Sequence, residues 1–294
     1  MKKITFIYYR SWAHNILLHI IKLQKIRRDF EIAAVIIPKD HSLTKDLLRL
    51  KLNVVQVEPS NCDQVANAIN KIDGDLVFAF SWSWKIPSSI IKSKICLCLH
   101  PSNLPSYAGG SPIQNQVFDG LYDSKVSVFK MTDELDHGPI YMQTAISLFG
   151  GIEEVFERMA GIGRSISEQV ISDYLADRLE FKEFPTHQKH LKHYYKRRKN
   201  ADSEPLIHNL KAVPFNALAQ KIKILLLPYP NAFLSIGSSK IKIKAIQRIN
   251  KIEIDHIVLD GNIQHDVQIN KKYVLILKDG CALISNFEVF KPLN

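Results

Sequence analysis

His100, Asp136 and Cys98 are the residues of this chain whose types and spacing could do chemistry. The histidine ends an apolar run, ICLCLH, and the Pro- and Gly-rich stretch PSNLPSYAGGSP follows it. Further on, the acidic loop Asp133-Glu134-Leu135-Asp136 precedes His137-Gly138-Pro139. A histidine and an aspartate brought together at a strand end can form an acid–base pair. Singly, each is more often a structural or solvated side chain than a catalytic one, so the fold must bring them together. Cys98 lies two residues before His100 and therefore on the same face of a strand. A thiol beside a histidine can be activated as a nucleophile; a small buried side chain is the plainer alternative. Cys96, Cys98 and His100 also share that face, but alternate residues of one strand do not wrap a tetrahedral ion. No metal is expected.

The elements that must position these residues alternate in type. Residues 3–9, 32–37, 54–57, 76–81 and 95–100 read as strands, and residues 13–25, 43–50 and 65–72 as helices. That alternation predicts the α/β class: a Rossmann-like open, mostly parallel sheet with helices on both faces. Its ligand crevice lies beyond the carboxyl ends of the strands, where Tyr9-Arg10-Ser11-Trp12 and His100-Pro101-Ser102 would sit. A helix starts at Ser111-Pro112, and a long one over residues 152–175 closes the first domain. The dense basic block HQKHLKHYYKRRK (187–199) reads as a linker. A helix over 216–226 follows, then short strands at 232–236, 240–249, 254–259, 273–277 and 282–289, with turns at 237–238 and 279–280. These predict a smaller β-barrel-like (OB-like) domain. The expected division is 1–185, a linker at 186–204, and 205–294.

Composition narrows the class. The 294 residues carry 39 Lys and Arg against 29 Asp and Glu, a net charge of +10. With 46% hydrophobic and 23% charged residues, the chain has ample apolar surface to offset ordering entropy, which excludes intrinsic disorder. No run of eighteen apolar residues occurs, so no membrane partner is expected. The start, MKKITFIYYRSW, reads as a first strand, not a signal peptide. Four irregularly spaced cysteines, Cys62, Cys96, Cys98 and Cys281, make no disulfide framework and fit a cytoplasmic protein. The positive charge suits nucleic acid, a phosphate-bearing small substrate, or simply a Lys-rich surface.

Taken together, residues 100–141 resemble the N10-formyltetrahydrofolate-dependent formyltransferase family, whose members act on methionyl-tRNA, glycinamide ribonucleotide or sugar nucleotides. The family pattern runs Asn-x-His, Ser-Leu-Leu-Pro, Tyr-Arg-Gly, then Asp-x-Gly-Pro. It is matched by His100, Ser102, Leu104-Pro105, Tyr107, Gly109 or Gly110, Pro112 and Asp136-His137-Gly138-Pro139. Tyr8 to Trp12, the run Ala79-Phe80-Ser81-Trp82-Ser83-Trp84, and Pro228-Tyr229-Pro230-Asn231 extend the likeness to both ends of the chain.

The resemblance implies N10-formyltetrahydrofolate as formyl donor and direct attack of a substrate amine on the formyl carbon. It makes His100 the proton-handling residue and Asp136 its orienting partner. Phe80, Ser81, Trp82, Trp84, Asp133 and Leu135 fall at the family's pterin site. Tyr9, Arg10, Trp12, Ser102, Tyr107, Gly109, Gly110 and Gln114 fall on the acceptor side. The chain departs from the pattern at Cys98, where the family has Asn, and at Ala108, where it has Arg. A thiol is a weak donor, and losing one oxyanion donor costs about 10²–10³ in rate. Asn103 stands where the family often has Leu or Pro.

Residues 37–43, IPKDHSL, lack the Gly- and Lys-rich loop of the tRNA enzymes. The resemblance therefore points to a small-molecule acceptor, the amine of a nucleotide-linked amino-deoxy sugar feeding a surface polysaccharide such as an O-antigen. Arg10 is then a candidate for pyrophosphate, because guanidinium pairs bidentately with phosphate oxygens. Nucleic acid is disfavoured, and a homodimer would follow the family's habit. Two alternatives stay open: a methionyl-tRNA formyltransferase-like RNA-binding enzyme, and a catalytically weakened paralogue that binds folate or nucleotide.

Overall fold

Continuous apolar runs set the centre of the sheet. In the computed structural model, β1 (Lys2–Tyr8), β4 (Leu76–Phe80) and β5 (Ile95–His100) are buried along almost their whole length, as strands covered on both faces must be. The structure describes residues 1–183, 194–203, 210–236, 239–253, 256–259 and 272–290. Between the central strands run α1 (Ser11–Arg27), β2 (Phe30–Pro38), α2 (Thr44–Arg49), β3 (Val54–Val57), α3 (Cys62–Asn70) and α4 (Ser88–Ser93). Beyond β5 come β6 (Ala108–Gly109), α5 (Pro112–Phe118), β7 (Asp123–Lys130), β8 (Ile140–Ser147), α6 (Ile152–Leu175) and β9 (Tyr194–Tyr195).

The seven-stranded sheet has the order β3-β2-β1-β4-β5-β7-β8. Its first five strands are parallel, and β7 and β8 add an antiparallel margin beside β5. This is the expected open, mostly parallel α/β sheet; the two antiparallel strands and α4 are additions to the sequence reading. Strand order reverses between β1 and β4, so the loops leaving those two strands diverge and open a crevice. Ser81 ties them together, its hydroxyl accepting from the Arg10 amide at 3.0 Å. Val65 and Ile69 of α3 and Ile90 of α4 pack with Val77, Ala79 and Cys96 on one face of the sheet. On the other, Gly163 of α6 lies so close to Ile16 of α1 and Leu99 of β5 that an added Cβ would meet both.

The chain divides into two compact units. The first comprises Met1–Pro112, Asp123–Ser147 and Phe156–Lys196; the second comprises Ile113–Tyr122, Leu148–Val155 and Arg197–Asn294. The second unit holds α7 (Phe215–Ile224) and a five-stranded sheet, β10 (Ala232–Ile236), β11 (Ser239–Ile249), β14 (Gly280–Phe290), β13 (Lys272–Leu277) and β12 (His256–Leu259), in that order. It is antiparallel except for the β12–β13 pair and is consistent with the expected barrel-like domain. Gln220 of α7 is buried and holds both backbone groups of Gly150, so the short segment Leu148–Val155 belongs with this unit. The basic stretch 187–193, the turn at 237–238 and residues 254–255 of an expected strand lie outside the described residues.

Candidate active site

His100 closes β5 with its side chain only 8% exposed, opposite Ser127 of β7. Its Nε2 lies 3.1 Å from the Tyr107 carbonyl and, facing an oxygen that can only accept, must donate there. That bond fixes the tautomer and turns Nδ1 toward Asp136, whose Oδ2 is 3.6 Å away and 11% exposed. The same carboxylate oxygen accepts from the Gly109 amide at 2.8 Å. Tyr107 and Asp136, which hold the imidazole from its two sides, both adopt left-handed backbone, φ 57° and 54°. Non-glycine residues seldom take that conformation, and such strain gathers where geometry serves function.

The loop that delivers Tyr107 is clamped from beneath. Ser127 donates to the Ser102 carbonyl at 2.6 Å and accepts from the Leu104 amide at 3.2 Å and from Gln143 Nε2 at 2.9 Å. Gln143 reaches the Leu104 carbonyl as well, and the Ser102 hydroxyl donates to the Ser106 carbonyl. Farther along, β6 pairs with β9, the rings of Tyr107 and Tyr195 stack at 4.9 Å, and the Gly110 amide donates to the Tyr195 carbonyl. Gly138 is dictated by close approach: a Cβ there would stand 1.5 Å from the Lys130 carbonyl. The Asp-x-Gly-Pro turn thus lies directly on β7 and brings Asp136 back to His100.

Beside this pair opens a pocket of about 420 Å³, part of it open to solvent. Its lining is the stretch from Trp82 to Ile91 (Trp82, Trp84, Lys85, Ile86 and Ile91) and residues 131–136, with Cys98 and Phe129 also contributing. Trp82 and Trp84 lie 5.0 Å apart, and Trp84 meets Tyr9 edge-on at 5.1 Å. The Trp82 Nε1–H is buried without a hydrogen-bond partner among the described residues. Lys92 of α4 reaches Asp133 at 3.8 Å.

Cys98 is buried among Leu104, Ala108 and Phe129. Burial first, and the Asp136 charge second, push its thiol well above the ordinary range. Cys96 is pushed up to about 12 by burial. A thiol so placed stays protonated, so the site offers a neutral S–H and not a thiolate.

Of the residues singled out by sequence, the structure gathers Cys98, His100, Tyr107, Gly109, Asp136, Trp82, Trp84, Asp133 and Leu135 around one pocket and its histidine. Phe80 points elsewhere, fully buried against Phe6 and Phe78. Ser81 serves the Arg10 amide and Ser102 its own loop. Trp12 is buried against Phe156, while the Arg10 guanidinium lies over the Tyr9 ring. Gln114 is buried in the second unit, and Asn103 is exposed. Sequence reasoning missed Ser127 and Gln143, which carry no motif, and the pocket walls Phe129, Ile91 and Met131. Among the described residues no group of three or more His, Cys, Asp or Glu could hold a metal, and no helix is long and apolar enough to cross a membrane.

A strand-end histidine held by a loop carbonyl and an Asp-x-Gly-Pro aspartate, on this sheet, defines a class of group-transfer domain, and comparison identifies it. Residues 13–172 match the family model described as formyl transferase, more than half of the chain. The chain belongs to the formyl transferase family. Methionyl-tRNA formyltransferase of Rickettsia typhi is 30% identical over 115 residues, which is 38% of either chain. The alignment thus spans well under half of that relative's length. Among solved structures, methionyl-tRNA formyltransferase from Clostridium thermocellum superposes with a TM-score of 0.63 over 99% of this chain and all of its own, at 20% identity. A sugar N-formyltransferase from Shewanella superposes at 0.64 over 83% of this chain and 97% of its own, at 15% identity. Both likenesses speak to the fold.

Proposed function

We propose that this protein is an enzyme that transfers a formyl group from N10-formyltetrahydrofolate to the amine of a nucleotide-linked amino sugar. The observation that carries the reading is the pocket whose wall includes Asp136, the carboxylate facing His100. The residues present fit a folate. Trp82, Trp84, Ile86, Ile91 and Met131 offer apolar surface for a planar heterocycle, residues 132–135 offer polar groups to its edge, and the orphaned Trp82 N–H awaits an acceptor. The bound folate supplies an activated one-carbon group. The family uses formyl-tetrahydrofolate.

The chain's own residues supply positioning and proton transfer. With Nε2 committed to the Tyr107 carbonyl, Nδ1 is the basic nitrogen of His100 and the atom that takes the proton shed by the attacking amine. The charge so gained faces Asp136 at 3.6 Å, where near-complete burial strengthens the attraction. The Gly109 amide keeps that carboxylate in place. Cys98, protonated and packed, supports direct transfer over a thioester route.

A nucleotide-linked sugar is favoured as acceptor because residues 37–43 lead straight into α2, without the Gly- and Lys-rich insertion of tRNA enzymes. The charge balance favours the second reading, formylation of methionyl-tRNA: residues 197–294 carry 15 Lys and Arg against 8 Asp and Glu. The protein is incubated with N10-formyltetrahydrofolate and either a panel of nucleotide-linked amino sugars or initiator methionyl-tRNA, and products are read by mass spectrometry. A formylated sugar supports the proposal; formyl-methionyl-tRNA as the sole product replaces it with the second reading.

A further inference from the structure

Trp82 combines two properties that its role as a pocket wall does not require. It is 9% exposed, and its Nε1–H finds no hydrogen-bond partner among the described residues. An indole N–H is a donor only, and a buried tryptophan normally finds it an acceptor. Leaving such a donor unmet costs free energy that a wholly apolar aromatic side chain would not incur. Packing alone therefore does not account for tryptophan here. Its neighbour Trp84 stands edge-on to Tyr9 and 5.0 Å from Trp82, so the Trp82 ring packs against a second indole that Tyr9 braces in turn. A donor left unmet on the wall of a pocket is satisfied when a ligand brings the acceptor.

We propose that the Trp82 indole N–H is a dedicated hydrogen-bond donor to an acceptor atom on the heterocycle of the bound folate, a binding contact made by a side chain. This rests on the folate reading above. Trp82 then selects reduced folates that present an oxygen or nitrogen acceptor at that wall and holds the heterocycle in one register beside Cys98 and Asp136. Because the contact is to the heterocycle and not to the one-carbon unit, it is made equally with tetrahydrofolate, which carries no formyl group.

The test is binding of tetrahydrofolate, kept anaerobic, to the full chain by titration calorimetry, with Trp82→Phe and Trp84→Phe compared. Trp82→Phe removes the donor together with part of the ring's apolar area, and Trp84→Phe, which trims the same area from the same pocket lining, gauges the share that area contributes. Trp82→Phe is expected to weaken binding about ten-fold and to raise KM for N10-formyltetrahydrofolate by a similar factor. Unchanged affinity in a folded Trp82→Phe overturns the proposal. A fall in kcat with tetrahydrofolate affinity intact overturns it too, because the donor would then serve the formyl oxygen. In the unsubstituted protein the three indole N–H resonances, assigned by single Trp→Phe variants, give an independent readout. The Trp82 signal is expected to move downfield and gain exchange protection on saturation with tetrahydrofolate. A Trp82 signal that does not move overturns the proposal even if the variant fails to fold. If the unsubstituted protein binds no tetrahydrofolate at all, the folate reading itself fails, a different result from a bound folate indifferent to Trp82.

Discussion

Nδ1 of His100 and Oδ2 of Asp136 face each other at 3.6 Å, while the opposite imidazole nitrogen is held by the Tyr107 carbonyl. Asp136→Asn keeps an acceptor for the Gly109 amide and removes the charge that answers a protonated His100. The expected outcome is a drop in kcat of about 10²–10⁴ with the folded state and tetrahydrofolate affinity retained. Steady-state kinetics beside a thermal melt check it; a variant with wild-type kcat would show that the carboxylate is only a loop anchor.

Cys98 tests the nucleophile alternative. A buried thiol raised well above its ordinary range should not react with iodoacetamide near pH 8, whereas the exposed Cys62 should. Cys98→Ala is expected to keep kcat within about ten-fold of wild type, since removing a covalent nucleophile costs far more. Peptide mapping after labelling, and the kinetics of the variant, decide between the two.

Gly138 leaves no room for a side chain against Lys130. Gly138→Ala is expected to cost about 3 kcal/mol or more and to lower kcat by displacing Asp136, as read in urea unfolding and turnover. A substitution within 0.5 kcal/mol of wild type would show that the turn yields easily.

His14, at the first turn of α1, shares a 2.9 Å hydrogen bond between its Nδ1 and the Tyr8 hydroxyl and is held below its ordinary 6.5, chiefly by burial. His41 adds to that lowering and Asp46 opposes it. The unfolded chain therefore binds this proton more readily, so the neutral ring's contribution is complete above about pH 6.5 and is lost as pH falls toward the lowered folded value. The stability difference between wild type and His14→Gln should shrink as pH is lowered through that range. Urea titrations at stepped pH check this; a difference independent of pH contradicts it.

How much of this was legible in the sequence differs by element. LVFAF in β4 and ICLCLH in β5 announced themselves because a strand buried on both faces needs an unbroken apolar run. β8, IYMQTAIS, did not: it is the margin of the sheet, half-buried along most of its length, and its alternation is faint. Without β7 and β8 the sequence placed nothing on the side of β5 away from β4, so Ser127, Gln143 and Phe129 stayed hidden. His100 and Asp136 were legible through the pattern around them. What fixes the imidazole, a backbone carbonyl at Tyr107 and an amide at Gly109, has no side-chain signature.

The most direct test of the account follows the one-carbon unit itself. N10-formyltetrahydrofolate labelled with ¹³C in the formyl group is given to the wild-type protein, to His100→Ala and to Asp136→Ala, with nucleotide-linked amino sugars and initiator methionyl-tRNA both present. The account predicts that the label appears on the sugar nitrogen with wild type and that both variants lose this product while still binding tetrahydrofolate. Label recovered on Cys98, on methionyl-tRNA alone, or only as free formate would contradict it.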